Sequence, residues 1–330
     1  MVDAPAPTGG PASPPERFAD LFGRVCDNVT RVIRGKDGVV ELTVLALVAE
    51  GHVLVEDVPG VGKTSLAKAL ARSIDGTFGR VQFTPDLLPA DVLGTSVWNQ
   101  QAGSFEFRAG PVFANVLLAD EVNRASPRTQ SALLESMAEA QVTVDGRTRP
   151  LPRPFVVLAT QNPLEHHGTF PLPESQLDRF LMKLSIGYPE RIDEAEILAT
   201  DGEAANLAAL EPVVSAEQVV AMAQHCRRVH VSATLSEYLI DLAAATRRHR
   251  HLALGMSPRA TLGLQRAARV RAAAQGRRHV VPDDVKALAP AVVAHRLVVH
   301  PEAHVQRISA LDVVADVLDS VPVPADIHLA

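Results

Sequence analysis

The sequence predicts an α/β protein in which a parallel sheet is covered by helices on both faces and is followed by a smaller helical domain. Two observations support this prediction. Short apolar runs alternate with helical segments over the first 190 residues, as expected for a parallel sheet buried on both faces. After Tyr188-Pro189 only helical periodicity continues, so no further strands are predicted there.

Five apolar runs have the length of buried strands. They are Val53–Val55, Arg80–Phe83, Asn115–Ala119, Phe155–Ala159 and Met182–Ile186. Two other segments have the pattern of hairpins. The first, Thr95–Arg108, alternates around Gln101-Ala102-Gly103. The second, Val142–Thr148, contains Asp145-Gly146, which suits a type I′ turn, so both are predicted as hairpins inserted into the α/β frame.

The helical segments fall into two groups. Residues 17–50 carry apolar side chains at helical spacing, with a break at Arg34-Gly35-Lys36. Four helices are predicted later in the chain, at Ala216–Val229, Leu235–Arg250, Pro258–Ala274 and Asp283–His295. The predicted organisation is a disordered Pro-, Ala- and Gly-rich tail over residues 1–16, an α/β core over 17–190 and a helical lid over 191–330.

Length and composition limit the class of protein. The chain has 330 residues, 47% of them apolar, which is enough for two domains with a large core. Its formal charge of −6 is spread along the chain and gives no footprint of a general nucleic-acid binder. Cys26 and Cys226 are the only cysteines, so no disulfide framework is expected and a reducing cytoplasm fits. No apolar run is long enough to predict a membrane span.

The segment Glu56–Thr64 has the sequence EDVPGVGKT and joins the first predicted strand to a helical run. This pattern predicts a phosphate-binding loop, because successive backbone N–H groups and a helix N-terminus attract phosphate oxygens. Lys63 would reach the β- and γ-phosphates, and the Thr64 hydroxyl would ligate Mg²⁺. The usual pattern has glycine where this chain has Asp57, a residue type that tolerates positive φ better than most. The alternative is a glycine-rich turn that binds no ligand.

Polar residues follow two of the other predicted strands. Asp120 and Glu121 end one apolar run, at the sheet edge where ligands bind in α/β proteins. Asp120 would hold Mg²⁺, and Glu121 would orient and deprotonate the attacking water. Asn162, which follows the next strand, could position that water. The alternatives are a chance acidic pair and a turn residue before Pro163.

Six longer segments resemble the MoxR family of AAA+ ATPases, a group within the P-loop NTPases. They are Gln82–Pro89, Gly110–Asn115, Ala119–Ala125, Ala159–Pro163, Gln176–Phe180 and Met256–Ala260. The resemblance extends over roughly residues 17–320. It implies that residues 17–190 are a nucleotide-binding AAA+ core, that Thr95–Arg108 is the helix-2 insert of this group, and that Val142–Thr148 is the hairpin before sensor 1.

The resemblance also assigns residues to the nucleotide. Nucleotide-binding residues would be Val32, Ile33, Gly35, Asp57, Val58, Pro59, Gly60, Val61, Gly62, Lys63, Thr64 and Ser65. Asp120 and Glu121 fall on the Walker B positions, Asn162 on sensor 1, Arg179 on the arginine finger and Arg259 on sensor 2. Arg124 and Arg128 are rival trans-acting arginines, and an ordinary surface pair between Asp178 and Arg179 is a further alternative.

By the same resemblance the protein would be an ATPase that uses ATP and Mg²⁺, with the nucleotide between core and lid. It would form a homo-oligomeric, hexameric ring with the finger acting in trans. Members of the family act as chaperone-like remodellers, often with a von Willebrand factor A domain partner, in complex maturation or the insertion of a metal cofactor.

Two other functions stay open on the sequence. The predicted lid has eleven arginines between Arg227 and Arg278 against two acidic residues, Glu237 and Asp241, so a nucleic-acid motor is conceivable. Tyr238 is the only aromatic residue in that stretch, which disfavours base stacking. The other possibility is a slow, nucleotide-gated assembly switch.

Overall fold

The computed structural model describes residues 14–163, 168–199 and 203–324. The strands in these ranges are β1 (Val53–Glu56), β2 (Phe78–Gln82), β3 (Gly94–Asn99), β4 (Ser104–Ala109), β5 (Val116–Asp120), β6 (Gln141–Val144), β7 (Arg147–Pro150), β8 (Val156–Gln161), β9 (Met182–Leu184), β10 (Leu252–Leu254) and β11 (Val298–Val299). None of the helices in these ranges is long and apolar enough to span a bilayer.

The first seven helices belong to the N-terminal part of the chain and the connection that follows it. They are α1 (Pro14–Thr30), α2 (Asp37–Val48), α3 (Lys63–Ser73), α4 (Pro89–Leu93), α5 (Pro127–Glu139), α6 (Glu174–Leu177) and α7 (Arg191–Ala199). The others are α8 (Glu203–Ala208), α9 (Ala216–Cys226), α10 (Ala233–Arg248), α11 (Pro258–Ala274), α12 (Pro282–Val293), α13 (Pro301–Val305) and α14 (Ala310–Ser320). Two 3-10 turns cover Val122–Arg124 and Ala294–Arg296.

The central sheet has five strands in the order β2-β5-β8-β1-β9, and every neighbouring pair is parallel. The predicted parallel sheet is therefore confirmed. Apolar side chains of β1, β5 and β8 are almost fully buried, because helices cover both faces. The carboxyl ends of all five strands lie at one edge of the sheet, and their amino ends lie at the other.

The two predicted hairpins are also present. Strands β3 and β4 pair antiparallel, as do β6 and β7. Asp145 and Gly146 connect the second hairpin with positive φ angles of 52° and 71°, as a type I′ turn requires. On the first hairpin, Trp98 lies opposite Phe105, and both side chains are exposed. Their rings meet edge to face with centroids 5.2 Å apart.

The C-terminal part is a helical lid, as predicted, but the prediction that no strand follows Pro189 is wrong. Strands β10 and β11 form a small antiparallel sheet in which Leu252 pairs with Val299. Each strand has two or three residues, too few for a period of two to be visible in the sequence. The pairing also joins segments that are far apart along the chain.

The N-terminal helices connect the core with the lid, since α1 and α2 both pack against α11. Helix α1 begins at Pro14, inside the segment predicted as a disordered tail. The rest of that tail, residues 1–13, lies outside the described residues. The division between core and lid at residue 190 stays a prediction.

His52 joins the start of β1 to two other elements. Its Nδ1 accepts a hydrogen bond from the Val157 N–H at 3.0 Å, and its Nε2 lies 3.0 Å from the Met137 carbonyl oxygen. The ring is therefore neutral, with the proton on Nε2. Burial lowers the pKa of His52 to about 4, although its hydrogen bond to Met137 acts in the opposite direction.

We expect His52 to make the fold sensitive to acid. The unfolded chain protonates this residue below its ordinary pKa of 6.5, whereas the folded state keeps it neutral down to about pH 4. The free energy of unfolding should therefore fall between these pH values, by about 3 kcal/mol at most from this group. Urea unfolding followed by circular dichroism should show a shallower pH dependence for His52→Gln.

The exposed His304, replaced by glutamine in the same way, controls for the loss of an imidazole at the surface. Equal pH dependence in wild type and His52→Gln would contradict the role given to His52.

Candidate nucleotide-binding site

The loop between β1 and α3 has the backbone of a phosphate-binding loop. Gly60 and Gly62 have φ angles of 87° and 88°, in the left-handed region. No atom lies within 4 Å of a Cβ built on Gly60, so the backbone conformation, and not lack of space, favours glycine at that position. Helix α3 begins at Lys63, and the N–H groups of its first turn have no partner within the helix. Lys63 Nζ donates to the carbonyl oxygens of Asp57 and Val58 at 2.9 and 3.2 Å.

Asp57 does not have a positive φ, so the tolerance expected of aspartate is not what this position uses. Its buried carboxylate instead accepts hydrogen bonds from the segment that follows β9. The donors are the Ser185 hydroxyl at 3.1 Å, the Gly187 N–H at 3.2 Å and the Ile186 N–H. Asp57 therefore joins the start of the phosphate-binding loop to the segment that follows β9, the outermost strand of the sheet.

Two acidic residues, Asp120 and Glu121, lie at the end of β5 and share one hydrogen-bonding partner, Thr160. The Thr160 hydroxyl donates to Asp120 Oδ1 at 2.7 Å, and its oxygen accepts the Glu121 N–H at 2.8 Å. Glu121 has φ 56° and ψ 50°, a left-handed conformation that is uncommon for a residue other than glycine. Such strain costs about 1–3 kcal/mol and is typical of functional sites.

Both carboxylates also have cationic or amide partners. Arg80 lies 2.9 Å from Asp120 Oδ2. Glu121 Oε2 accepts from Gln82 Nε2 at 2.8 Å and from Arg124 at 3.1 Å. The two arginine side chains are nearly half exposed, at 48% and 44%, so these ion pairs are weak and a ligand can replace them.

These groups surround a cavity of about 490 Å³ at the carboxyl edge of the sheet. It is lined by Pro59, Gly60, Gly62, Lys63, Thr64, Ser65, Arg80, Asp120, Glu121 and Asn162. The structure thus brings together the predicted loop, both carboxylates and Asn162. No lid residue within the described ranges lines this cavity. The position of the nucleotide between core and lid stays a prediction. Oxygen donors of the Thr64 and Asp120 type are those that Mg²⁺ prefers, so the residues fit this ion.

Three residues predicted to bind the nucleotide, Val32, Ile33 and Gly35, do not line this cavity. The Val32 and Ile33 side chains are buried in the core, at 1% and 4% exposure. Gly35, with φ 64°, lines a different cavity of about 810 Å³ between α2, β9 and the lid helices α12 and α14.

The arginines predicted to act in catalysis, Arg179 and Arg259, lie at the edge of the sheet formed by the amino ends of the strands. Arg179 and Arg259 line a cleft of about 160 Å³ together with Gly51, His52 and Leu181, at the amino ends of β1 and β9. The four residues of β1 lie between His52 and Asp57, so five steps of extended chain, about 16 Å, separate His52 from the phosphate-binding loop. The ion pair of Asp178 is formed with Arg296 at 3.1 Å, and not with Arg179. Among the rivals, Arg124 binds Glu121 of its own chain, and Arg128 lines neither cavity.

Three site residues were not predicted: Arg80, Gln82 and Thr160. All three contact the carboxylates because β2 and β8 flank β5 in the sheet. The one signal of these contacts in the sequence is that Arg80 and Gln82 are two positions apart on β2. It cannot identify a site until the neighbouring strand is known.

Comparison with known proteins shows what this chain is similar to. Residues 52–182 match the family described as "ATPase family associated with various cellular activities (AAA)", and residues 244–317 match the AAA lid domain. A solved crystal structure of a Cytophaga hutchinsonii protein aligns with a TM-score of 0.87 and 38% identity, covering 94% of this chain and 97% of that one.

Curated relatives extend along nearly the whole chain. YeaC of Bacillus subtilis is 46% identical over 309 residues, which is 94% of this chain and 97% of YeaC. Chaperone MoxR1 of Mycobacterium tuberculosis is 43% identical, over 91% of this chain and 82% of its own length. Protein MoxR of Methylorubrum extorquens is 32% identical, over 93% and 96% respectively. With the sheet, the lid and the phosphate-binding loop described above, these matches show that the chain belongs to the MoxR family of AAA+ ATPases.

Proposed function

We propose that this chain hydrolyses ATP in the cytoplasm and acts as a chaperone-like remodeller in the maturation of, or metal-cofactor insertion into, a partner protein complex. The observation that carries the proposal is the cavity shared by Lys63, Thr64, Asp120, Glu121 and Asn162. A lysine, a hydroxyl and two carboxylates beside a helix N-terminus are the groups that phosphoryl transfer to water requires. Relatives named MoxR and chaperone MoxR1 support the remodelling role.

Binding of ATP would use the loop from Asp57 to Ser65. Lys63 would leave the carbonyl oxygens of Asp57 and Val58, and its ammonium group would bind the β- and γ-phosphates. Thr64 and Asp120 would hold Mg²⁺, which neutralises phosphate charge when bound. Gly35 would lie near the adenine, and Val32 and Ile33 would offer only backbone groups, because their side chains are buried.

Hydrolysis would use Glu121 as the general base and Asn162 to position the attacking water. Glu121 would first leave Gln82 and Arg124, to which its carboxylate is now hydrogen-bonded. The contact between its backbone N–H and Thr160 would keep the residue in place during that rotation. A base must lie within hydrogen-bonding reach of the proton that it removes, so this release would precede turnover.

We further propose that Arg179 and Arg259 act on the nucleotide of a neighbouring subunit. Both line the cleft at the amino edge of the sheet, too far from the phosphate-binding loop of their own chain to reach it. A ring in which each cleft meets the next subunit's loop would bring the arginines to the transferred phosphoryl group. We propose six subunits and a partner with a von Willebrand factor A domain, on the resemblance described above.

Replacement of Glu121 by glutamine should separate binding from turnover. An amide cannot accept the proton of the attacking water, so we expect the rate of ATP hydrolysis to fall at least ~100-fold. Affinity for ATP, measured by calorimetry, should be retained. Glu135→Gln, which changes an exposed carboxylate on α5, is the matched control. Turnover at the wild-type rate in Glu121→Gln would remove this residue from the proposed role.

Replacement of Arg179 by alanine tests the shared active site. We expect the wild-type specific activity to rise with protein concentration as rings form, with assembly followed by light scattering. Arg179→Ala should lower turnover by ~10³-fold while ATP affinity is kept, since the guanidinium stabilises charge in the transition state only. The exposed Arg228, replaced by alanine, controls for the loss of a positive charge.

Mixing Arg179→Ala subunits with Lys63→Ala subunits should restore part of the activity, because an intact loop then meets an intact arginine at some interfaces. Activity from a monomer that is indifferent to concentration and to Arg179→Ala would overturn the ring, while leaving the assignment of the phosphate-binding loop untouched.

A further inference from the structure

A buried arginine of the lid holds the core loop that carries Arg179. The Arg296 side chain is 4% exposed and donates from Nη2 to the Phe180 carbonyl oxygen at 2.7 Å and to the Asp178 carbonyl oxygen at 3.3 Å. Its Nε lies 3.1 Å from Asp178 Oδ1, at ion-pair distance without hydrogen-bond geometry. One guanidinium therefore binds the backbone on both sides of Arg179.

The Asp178 carboxylate also connects this loop to the helix that carries Arg259. Ser257 donates its hydroxyl hydrogen to this carboxylate, with Oγ 2.9 and 3.1 Å from the two oxygens. The same Oγ accepts the Ala260 N–H at 3.1 Å, so Ser257 is the N-cap of α11. Arg259 is the second residue of that helix. Arg179 and Arg259 thus follow, by one and two positions, two residues that are hydrogen-bonded to each other, Asp178 and Ser257.

Stability alone does not explain a buried ion pair of this kind. Removing charges from water costs several kcal/mol per ion, and the attraction between them often only balances that cost. Burial lowers the pKa of Arg296 to about 10, against the opposing effect of Asp178, which indicates how poorly its charge is solvated. What such a pair does provide is a defined geometry, because both partners must stay together.

We infer that Asp178, Ser257 and Arg296 are positioning residues that hold Arg179 and Arg259 at one fixed separation, so that both meet the same phosphate group of a neighbouring subunit. This inference rests on the shared active site proposed above. Because Arg296 and Ser257 belong to the lid and Asp178 to the core loop, the arginine pair stays aligned only while lid and loop move together. We call these three residues the Asp178 bracket.

The sharpest test is Ser257→Asp. Aspartate caps a helix about as well as serine, so α11 keeps its N-cap, but a second carboxylate would face Asp178 and repel it. Misplacement of catalytic groups by about 1 Å can cost ~100-fold in rate, so we expect kcat to fall at least ~10-fold. Affinity for ATP and ring size should stay at wild-type values, because the phosphate-binding loop lies at the other edge of the sheet.

Ser232→Asp is the matched control. Ser232 caps α10 in the same lid through the Leu235 N–H, and its replacement keeps a cap without adding charge beside Asp178. Adding Asp178→Asn to Ser257→Asp should restore part of kcat, because the amide can donate to the new carboxylate. If Ser257→Asp does not fold, Ser257→Ala paired with Ser232→Ala serves instead. Both variants lose about 1 kcal/mol of stability from the helix cap, but only Ser257→Ala also loses the hydrogen bond to Asp178.

Subunit mixing separates positioning from general damage. Ser257→Asp subunits retain an intact phosphate-binding loop, so mixing them with Lys63→Ala subunits should restore activity as Arg179→Ala subunits do. Wild-type kcat in Ser257→Asp, or a loss that mixing does not restore, would overturn the bracket while the shared site stands. If Arg179→Ala itself fails to complement in mixed rings, the shared site fails and the bracket with it.

Discussion

The polarity of the parallel sheet is the constraint on which the rest of the structure depends. Because β1, β5 and β8 run in the same direction, the phosphate-binding loop, Asp120 and Asn162 all emerge at one edge. The same polarity places the amino ends of β1 and β9 at the opposite edge, beside the cleft that contains Arg179 and Arg259. The phosphate-binding loop and the cleft with Arg179 and Arg259 are thus kept apart within one chain, an arrangement that suits head-to-tail association of identical subunits.

The sequence predicts well what is encoded locally and poorly what depends on the order of strands. Nine consecutive residues define the phosphate-binding loop, and Asp120 and Glu121 stand together at the end of one apolar run. Arg80 and Thr160 contact these carboxylates only because β2 and β8 lie on either side of β5, an order that periodicity does not reveal. The lid strands β10 and β11 were not predicted for a related reason. Each is stabilised by pairing with the other strand, and neither has a recognisable strand pattern in its own residues.

The roles of charged residues in the interior could not be predicted because their partners lie far along the chain. Arg296 belongs to no motif in the sequence, yet its contacts are with the core loop 116 and 118 positions earlier. Asp57 reads as a departure from a glycine motif, yet its partner Ser185 is 128 positions later. In both cases desolvation makes such partners necessary, because a buried charge without them is strongly unfavourable. The sequence shows the charge but neither the burial nor the partner.

The exposed ring pair on the β3–β4 hairpin has an optical consequence. Trp98 is the only tryptophan of the chain, and it lies against Phe105 on a hairpin outside the central sheet. Fluorescence excited selectively in the indole ring therefore comes from one known position on the surface. The emission reports the surroundings of the hairpin and not the packing of the core. The protein thus carries an intrinsic fluorophore that needs no chemical labelling, and a shift in its emission on contact with nucleotide or a partner would locate the change at this hairpin.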